Sequence, residues 1–197
     1  PAGPARPCLS AVQNTIAGLV LGVGSAATAA SQRWWVSLAL WLLSRVADGL
    51  DGSLARLRRE RSPRGGAGPG DHCGAGGFLD ITADFIVYGT TVVGVAIGAT
   101  AGQGAPWWPF LLVLLAYYVN GTAFLAFSSI AERTGHTIED GRSLSFLGGL
   151  AEGTETIAVH SLWLLLPAIA WQIALVWAAV VALSAAQRIV AGYRNLS

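Results

Sequence analysis

Residues 48–84 read DGLDGSLARLRRERSPRGGAGPGDHCGAGGFLDITAD, and this stretch decides how the rest of the chain is interpreted. It holds two pairs of aspartates, Asp48 with Asp51 and Asp80 with Asp84, each at the edge of a long apolar segment. These spacings place the two carboxylates of each pair on one face of a helix. Because acids at the ends of membrane-type helices are costly to leave unpaired, they need a cationic partner. A cluster of hard oxygen ligands favours a divalent cation.

The composition of the 197-residue chain indicates an integral membrane protein: 53% of its residues are hydrophobic and only 12% are charged. A soluble domain carries about 25% charged residues. The net charge of +1 provides no global basic field for binding nucleic acid. About six spans of roughly 20 residues, joined by short loops, use nearly the whole length. We therefore expect a single membrane domain over residues 1–197.

The order of apolar and polar segments predicts an all-α polytopic protein with about six transmembrane helices in one bundle. The proline-rich N-terminal segment 1–9 is expected to be irregular or to lie at the membrane surface. Loops are expected at about 57–75 and 131–145, and the glycine and proline content of the first is typical of a flexible connection. The expected spans are 10–30, 34–56, 77–99, 107–130, 146–169 and 171–193.

Two patterns predict which end of each span faces the cytoplasm. With a cytoplasmic N-terminus, ten of the twelve arginines fall in the inner loops, tails and helix ends, and Arg33 and Arg45 are the exceptions. The opposite ends carry tryptophans suited to an interfacial belt, namely Trp34, Trp35, Trp107, Trp108 and Trp171. Both patterns place all four aspartates near the cytoplasmic face of a bacterial-type cell membrane. The two pairs are then expected to meet across the hairpin of spans two and three.

The residues around the first acidic pair favour phosphate chemistry. Four carboxylates in one small volume repel one another unless a cation neutralises them. One or two Mg²⁺ or Mn²⁺ ions would do so and would keep coordination positions for phosphate oxygens. Gly49 and Gly52 allow a ligand to approach the helix backbone, Ala55 keeps the same face small, and Arg56 can bind phosphate in bidentate fashion. Together these features describe a phosphoryl-transfer site.

The order Asp48-x-x-Asp51-Gly52-x-x-Ala55-Arg56, followed by Gly76-x-x-x-Asp80-x-x-x-Asp84, resembles the signature of the CDP-alcohol phosphotransferase (CDP-alcohol phosphatidyltransferase) family. All eight fixed positions match within the two halves of the signature. The chain departs from the family pattern between the halves, because nineteen residues separate Arg56 from Gly76. The additional residues fall in the loop rich in glycine and proline, where insertions cost little.

The resemblance implies a metal-dependent transfer from a CDP-linked donor, expected to be CDP-diacylglycerol, to an alcohol acceptor, with release of CMP in phospholipid biosynthesis. By the same resemblance, Asp84 would also be the general base on the acceptor hydroxyl. A pair of divalent ions would be held by the four aspartates, Asp48, Asp51, Asp80 and Asp84. The nucleotide and diphosphate would be bound at Gly52, Ala55, Arg56 and Gly76.

The acceptor is left open by the sequence. Arg133 and Arg142 are candidates for binding a phosphorylated acceptor, although arginines are expected in an inner loop in any case. Glu152 and Glu155 could line the acceptor pocket or pair with these arginines. Glycerol phosphate, inositol phosphate, serine and a second lipid all remain candidates.

Two further hypotheses concern assembly and activity. Small-xxx-small pairs, Gly18 with Gly22 and Gly94 with Gly98, are compatible with a homodimer. A divalent-cation transporter that uses the four acids is the alternative function. Acids at helix ends disfavour transport, because transporters usually bind their substrates near the bilayer midplane.

Overall fold

A computed structural model describes residues 5–60, 74–134 and 153–196, and the side chains of 12–49, 75–134 and 153–196. Across these ranges the chain is helical apart from short connections, and they contain no strand. The prediction of an all-α protein is confirmed. The helices are α1 Ala5–Ala30, α2 Trp34–Glu60, α3 Gly74–Gln103, α4 Trp108–Thr134, α5 Gly153–Leu165 and α6 Ala170–Leu196, and a 3₁₀ turn at Pro167–Ile169 precedes α6.

Three segments of the described chain are long and apolar enough to cross a membrane: Ala75–Gln103, Trp108–Thr134 and Pro167–Leu196. Helices α1 and α2 contain 26 and 27 residues, a length that also suffices to cross a bilayer. The arrangement of six spans in one bundle remains a prediction.

Two of the predicted helix boundaries are corrected at positions close to a proline. Helix α1 begins at Ala5, inside the segment 1–9 expected to be irregular. Pro7 lies in its first turn, where a backbone N–H has no intrahelical partner, so proline is tolerated there. Helix α5 ends at Leu165 instead of continuing to 169, because Pro167 disfavours helical geometry at the residue before it.

Both predicted cytoplasmic loops are shortened by their flanking helices. Helix α2 continues to Glu60 and α3 begins at Gly74, so the predicted loop 57–75 loses residues at both ends. Helix α4 continues to Thr134, into the predicted loop 131–145. Residues 61–73 and 135–152 lie outside the described part of the chain.

The chain divides into two compact units, Pro1–Gly98 and Ala99–Ser197, and α3 crosses the boundary between them. In the first unit, α1 packs along α2, and Ser25 and Ser37 join these helices by buried hydrogen bonds. The Ser25 hydroxyl donates to the Ser37 carbonyl at 2.8 Å, and the Ser37 hydroxyl donates to the Ser25 carbonyl at 2.8 Å.

Glycines let α1 and α3 approach each other within the first unit. A Cβ atom at Gly94 would lie 2.9 Å from the Cα of Ala26 and in closer contact with its carbonyl oxygen. A Cβ atom at Gly22 would lie 2.5 Å from the Cγ1 of Val87. The small-xxx-small pairs therefore mediate packing inside the chain. The homodimer remains a prediction, and these glycines no longer argue for it.

Gly94→Ala is expected to destabilise the protein by about 1–3 kcal/mol, because the added methyl group overlaps the α1 backbone, which has little freedom to move. The measurement is thermal unfolding of purified protein in detergent. Gly89→Ala is the matched control in the same helix, because a Cβ atom there meets no atom of the described part of the chain within 4 Å. The control should be neutral or slightly stabilising, since alanine favours the helix. Equal melting temperatures for the two variants would contradict the close packing of α1 and α3.

In the second unit, α4 packs along α6, and a polar cluster of the half-buried Tyr117 with the buried His160 and Trp177 joins α4, α5 and α6. The Nε1–H of Trp177 donates to the Tyr117 hydroxyl oxygen at 2.7 Å, and that oxygen lies 2.9 Å from Nε2 of His160. His160 is fully buried and its ring stacks on Trp163 at a centroid distance of 4.6 Å. These contacts give His160 a role in the packing of α4, α5 and α6.

Tyr117→Phe is expected to destabilise the protein by about 1–3 kcal/mol, because the buried Trp177 and His160 nitrogens lose the hydroxyl they share. Tyr118→Phe is the control, because the neighbouring Tyr118 is 71% exposed. Urea or thermal unfolding in detergent measures the difference. A Tyr117→Phe variant as stable as the Tyr118→Phe variant would show that the Tyr117 hydroxyl does not stabilise the packing of α4, α5 and α6.

Candidate functional site

The acidic motif occupies the end of α2 and the beginning of α3. Helix α2 continues unbroken from Trp34 to Glu60, so the first half of the motif is helical as predicted. Helix α3 begins at Gly74 and includes Gly76, Asp80 and Asp84. Within α2 the structure describes the Asp48 side chain, and the side chains of Asp51, Ala55 and Arg56 lie outside the described part of the chain.

One acid from each pair reaches the same guanidinium nitrogen. Nη1 of Arg45 donates to Oδ1 of Asp84 at 2.8 Å and lies 3.7 Å from Oδ2 of Asp48. Asp48 belongs to α2 and Asp84 belongs to α3, so the carboxylates of the two helices converge on one cation. About one third of each aspartate side chain is accessible to solvent, whereas the side chain of Arg45 is 6% accessible.

Helix α1 contributes a hydrogen bond to the third described acid. The hydroxyl of Thr15 donates to Oδ1 of Asp80 at 3.3 Å, and Thr15 itself is buried. Asp80 is exposed and lies one turn before Asp84 on α3. All three helices of the first unit therefore supply groups to the acidic site.

Arg45 is held by two neighbouring aromatic rings and by hydrogen bonds. Its guanidinium lies 5.2 Å from the ring centroid of Trp41 and 5.1 Å from that of Tyr88, within the range of cation–π attraction. Nη2 donates to the Ser44 hydroxyl at 3.0 Å, and that hydroxyl donates to the Gly18 carbonyl of α1 at 2.7 Å. The arginine is thus connected to α1, α2 and α3.

Sequence reasoning did not assign Arg45 to the site and treated it only as an exception to the charge bias. The sequence does contain a feature that indicates this role, because Arg45 precedes Asp48 by three residues within an apolar segment. That spacing places a cation and an acid on one helix face. A charged residue within a membrane-type helix is expensive, so pairing at the motif would have been the better interpretation.

The described acids have the chemistry that a divalent cation requires. Asp48 and Asp84 approach from different helices, and their oxygens already converge on a positive charge. Carboxylate oxygens are the ligands that Mg²⁺ and Mn²⁺ prefer. Among the side chains that the structure describes, which exclude Asp51, no three acidic, histidine or cysteine residues come together as a metal-binding group. The convergence of donors from α2 and α3 fits a metal site to which Asp51 would add a further carboxylate.

The predicted acceptor residues belong to the second half of the chain. Arg133 is exposed in the last turn of α4, and Glu155 is exposed in the first turn of α5. Arg142 and Glu152 fall in 135–152, beyond the described residues.

Comparison with known proteins shows the family. The CDP-alcohol phosphatidyltransferase pattern matches residues 11–185, so the chain belongs to this family of membrane transferases. The chain is also 36% identical over 168 residues to the inner membrane protein YnjF of Escherichia coli (strain K12), covering 83% of this chain and 73% of that protein. No solved structure matches the chain.

Membership of the family establishes the general chemistry and location. The family transfers phosphatidyl groups in phospholipid synthesis and is in general dependent on divalent metal. The three long apolar helices, together with an inner-membrane relative, make this an integral membrane protein. The acids that converge on Arg45 belong to the signature expected of such a transferase.

Proposed function

We propose that this protein transfers the phosphatidyl group of CDP-diacylglycerol to an alcohol acceptor and releases CMP. The observation that carries the proposal is the convergence of Asp48 and Asp84, from α2 and α3, on one guanidinium nitrogen. It brings one acid from each half of the family signature to a common point. Family membership also favours transfer over the alternative of cation transport, which would use the same acids without a nucleotide.

The metal site is assigned to Asp48, Asp51, Asp80 and Asp84. Two bound Mg²⁺ or Mn²⁺ ions would neutralise the donor diphosphate and stabilise the departing CMP. Thr15 orients Asp80 through its hydrogen bond, and Arg45 orients Asp84. These contacts hold two of the carboxylates in fixed directions before substrate binds, which lowers the cost of assembling the site.

Asp84 is assigned as the general base. One of its oxygens, Oδ1, accepts the hydrogen bond from Arg45, and we assign the acceptor's proton to Oδ2. As that proton leaves, the acceptor oxygen forms a bond to the phosphorus that carries diacylglycerol. The bond from this phosphorus to the CMP oxygen breaks, and CMP departs with the electron pair. The partial solvent exposure of Asp84 allows a polar acceptor to reach it.

The nucleotide pocket is assigned to the motif residues between and beside the acids: Gly52, Ala55, Arg56 and Gly76. Gly76 lies in the first turn of α3, one turn before Asp80. Small residues allow the diphosphate to approach the helix backbones, and Arg56 suits bidentate phosphate binding. The acyl chains of the donor would remain in the bilayer, with the site at the cytoplasmic face.

Asp84→Asn is expected to lower the rate of CMP release by about 10²–10⁴-fold, because the amide is unable to take the acceptor's proton. The assay combines purified protein, CDP-diacylglycerol, Mg²⁺ or Mn²⁺ and a panel of glycerol phosphate, inositol phosphate, serine and a lipid alcohol. Glu132→Gln, an acid-to-amide change at an exposed position of α4, is the control and should retain activity. Full activity in Asp84→Asn would refute the base assignment, and metal flux into liposomes without nucleotide turnover would favour transport.

If the acceptor is phosphorylated, Arg133→Ala is expected to raise its KM by about tenfold or more, because a hydrogen bond between charged groups is lost. The same substitution should leave the KM for CDP-diacylglycerol unchanged. Arg194→Ala is the matched control, because Arg194 is also an exposed arginine in the last turn of a helix. Equal acceptor KM values for both variants would remove Arg133 from the acceptor site and leave Arg142, Glu152 and Glu155 as the assigned residues.

A further inference from the structure

We propose that Arg45 is a positioning residue of the transfer site, a permanent internal cation that orients Asp84 and offsets part of the acidic charge. This inference rests on the proposed function and concerns a residue outside the family signature. The contact that defines it is the 2.8 Å hydrogen bond from Nη1 of Arg45 to Oδ1 of Asp84.

The burial of Arg45 calls for a specific role. The residue is 8% exposed and lies in a helix whose preceding residues, WWVSLALWLLS, are mostly apolar. A cation in such a position is costly and is retained where it serves a site. The tendency of arginines to mark the cytoplasmic side gives no reason to bury this one, because topogenic arginines lie in loops and at helix ends.

The surroundings of Arg45 fix its direction as well as its charge. Trp41 and Tyr88 cover the guanidinium, while Ser44 links Nη2 to the Gly18 carbonyl of α1. Nε is buried and has no hydrogen-bond partner among the residues that the structure describes, whereas both terminal nitrogens donate hydrogen bonds. The guanidinium is therefore oriented so that Nη1 points toward Asp84, although this orientation does not give every N–H group of the arginine a hydrogen bond within the described part of the chain.

Two separable effects on the site follow from this geometry. Fixing Oδ1 of Asp84 sets the direction of Oδ2, the atom assigned to the acceptor's proton, and this effect depends on the planar fork of arginine. The positive charge reduces repulsion among the carboxylates and also competes with any metal ion for them. Removing the charge should therefore strengthen metal binding while weakening catalysis. Replacing a residue that only packed the helices would not raise the metal affinity while lowering the catalytic rate.

The test compares Arg45→Gln, which removes the charge, with Arg45→Lys, which keeps it and removes the fork. Mn²⁺ binding to purified, metal-free protein is measured by electron paramagnetic resonance, and kcat is measured by CMP release. We expect Arg45→Gln to bind Mn²⁺ at least about tenfold more tightly, because a like charge is removed from the site. We expect Arg45→Lys to bind Mn²⁺ like the parent. Both variants should lose about 10–100-fold in kcat, as is typical when a partner that orients a ligand is lost.

Ser25→Ala is the control, because it breaks a buried hydrogen bond between α1 and α2, two of the three helices that Arg45 connects, at a distance from the acidic site. It should leave Mn²⁺ affinity and kcat unchanged. Arg45→Lys keeps the inference testable if Arg45→Gln fails to fold, since parental kcat in Arg45→Lys would overturn the positioning role. Unchanged or weaker Mn²⁺ binding in a folded Arg45→Gln protein would overturn the counter-charge. A parent protein that neither binds Mn²⁺ nor releases CMP would instead overturn the proposed function itself.

Discussion

The constraint on which the first half of this protein depends is the cost of placing charge among apolar helices. The pairing of Arg45 with Asp84 meets that constraint with a short hydrogen bond between oppositely charged groups on neighbouring helices. Arg45 would be poorly placed alone, because a buried unpaired charge is strongly destabilising. Their pairing links α2 to α3, and Asp48, three residues after Arg45 on α2, approaches the same nitrogen. Electrostatics and helix packing therefore select the same arrangement.

Close packing around α1 supports this pairing. The glycines of α1 and α3 allow backbone-level contact, and Gly18 presents its carbonyl oxygen to Ser44, which in turn holds Arg45. Larger residues at these positions would move α1 away and remove this support. Between membrane helices, where no hydrophobic driving force distinguishes protein from lipid, such contacts and hydrogen bonds provide the attraction. The small residues of α1 thus act on the acidic site without touching it.

Sequence reasoning predicted the helical class, the family and the membrane character, because these follow from hydropathy and from the fixed spacing of aspartates, glycines and an arginine. It also predicted that acids from two helices would meet, and Asp48 and Asp84 do meet at Arg45. It missed Arg45, because a charge-bias argument treats arginines as loop markers and says nothing about where one is buried. It misplaced the end of the fifth helix, because the hydropathic run continues through Pro167 while the helix ends at Leu165. Acceptor choice depends on how distant segments meet, and spacing along one helix carries no information about that.

All eight positions of the family signature, together with Arg45, precede residue 99, where the second compact unit begins. A ribosome makes the N-terminal part first, and such units tend to fold as they emerge. The acids would therefore enter the bilayer before the second unit has been synthesised. Arg45 lies three residues before Asp48, so this counter-ion is synthesised together with the acids that it neutralises. The order of the residues along the chain thus places the counter-ion and the acids together in the half that is synthesised first.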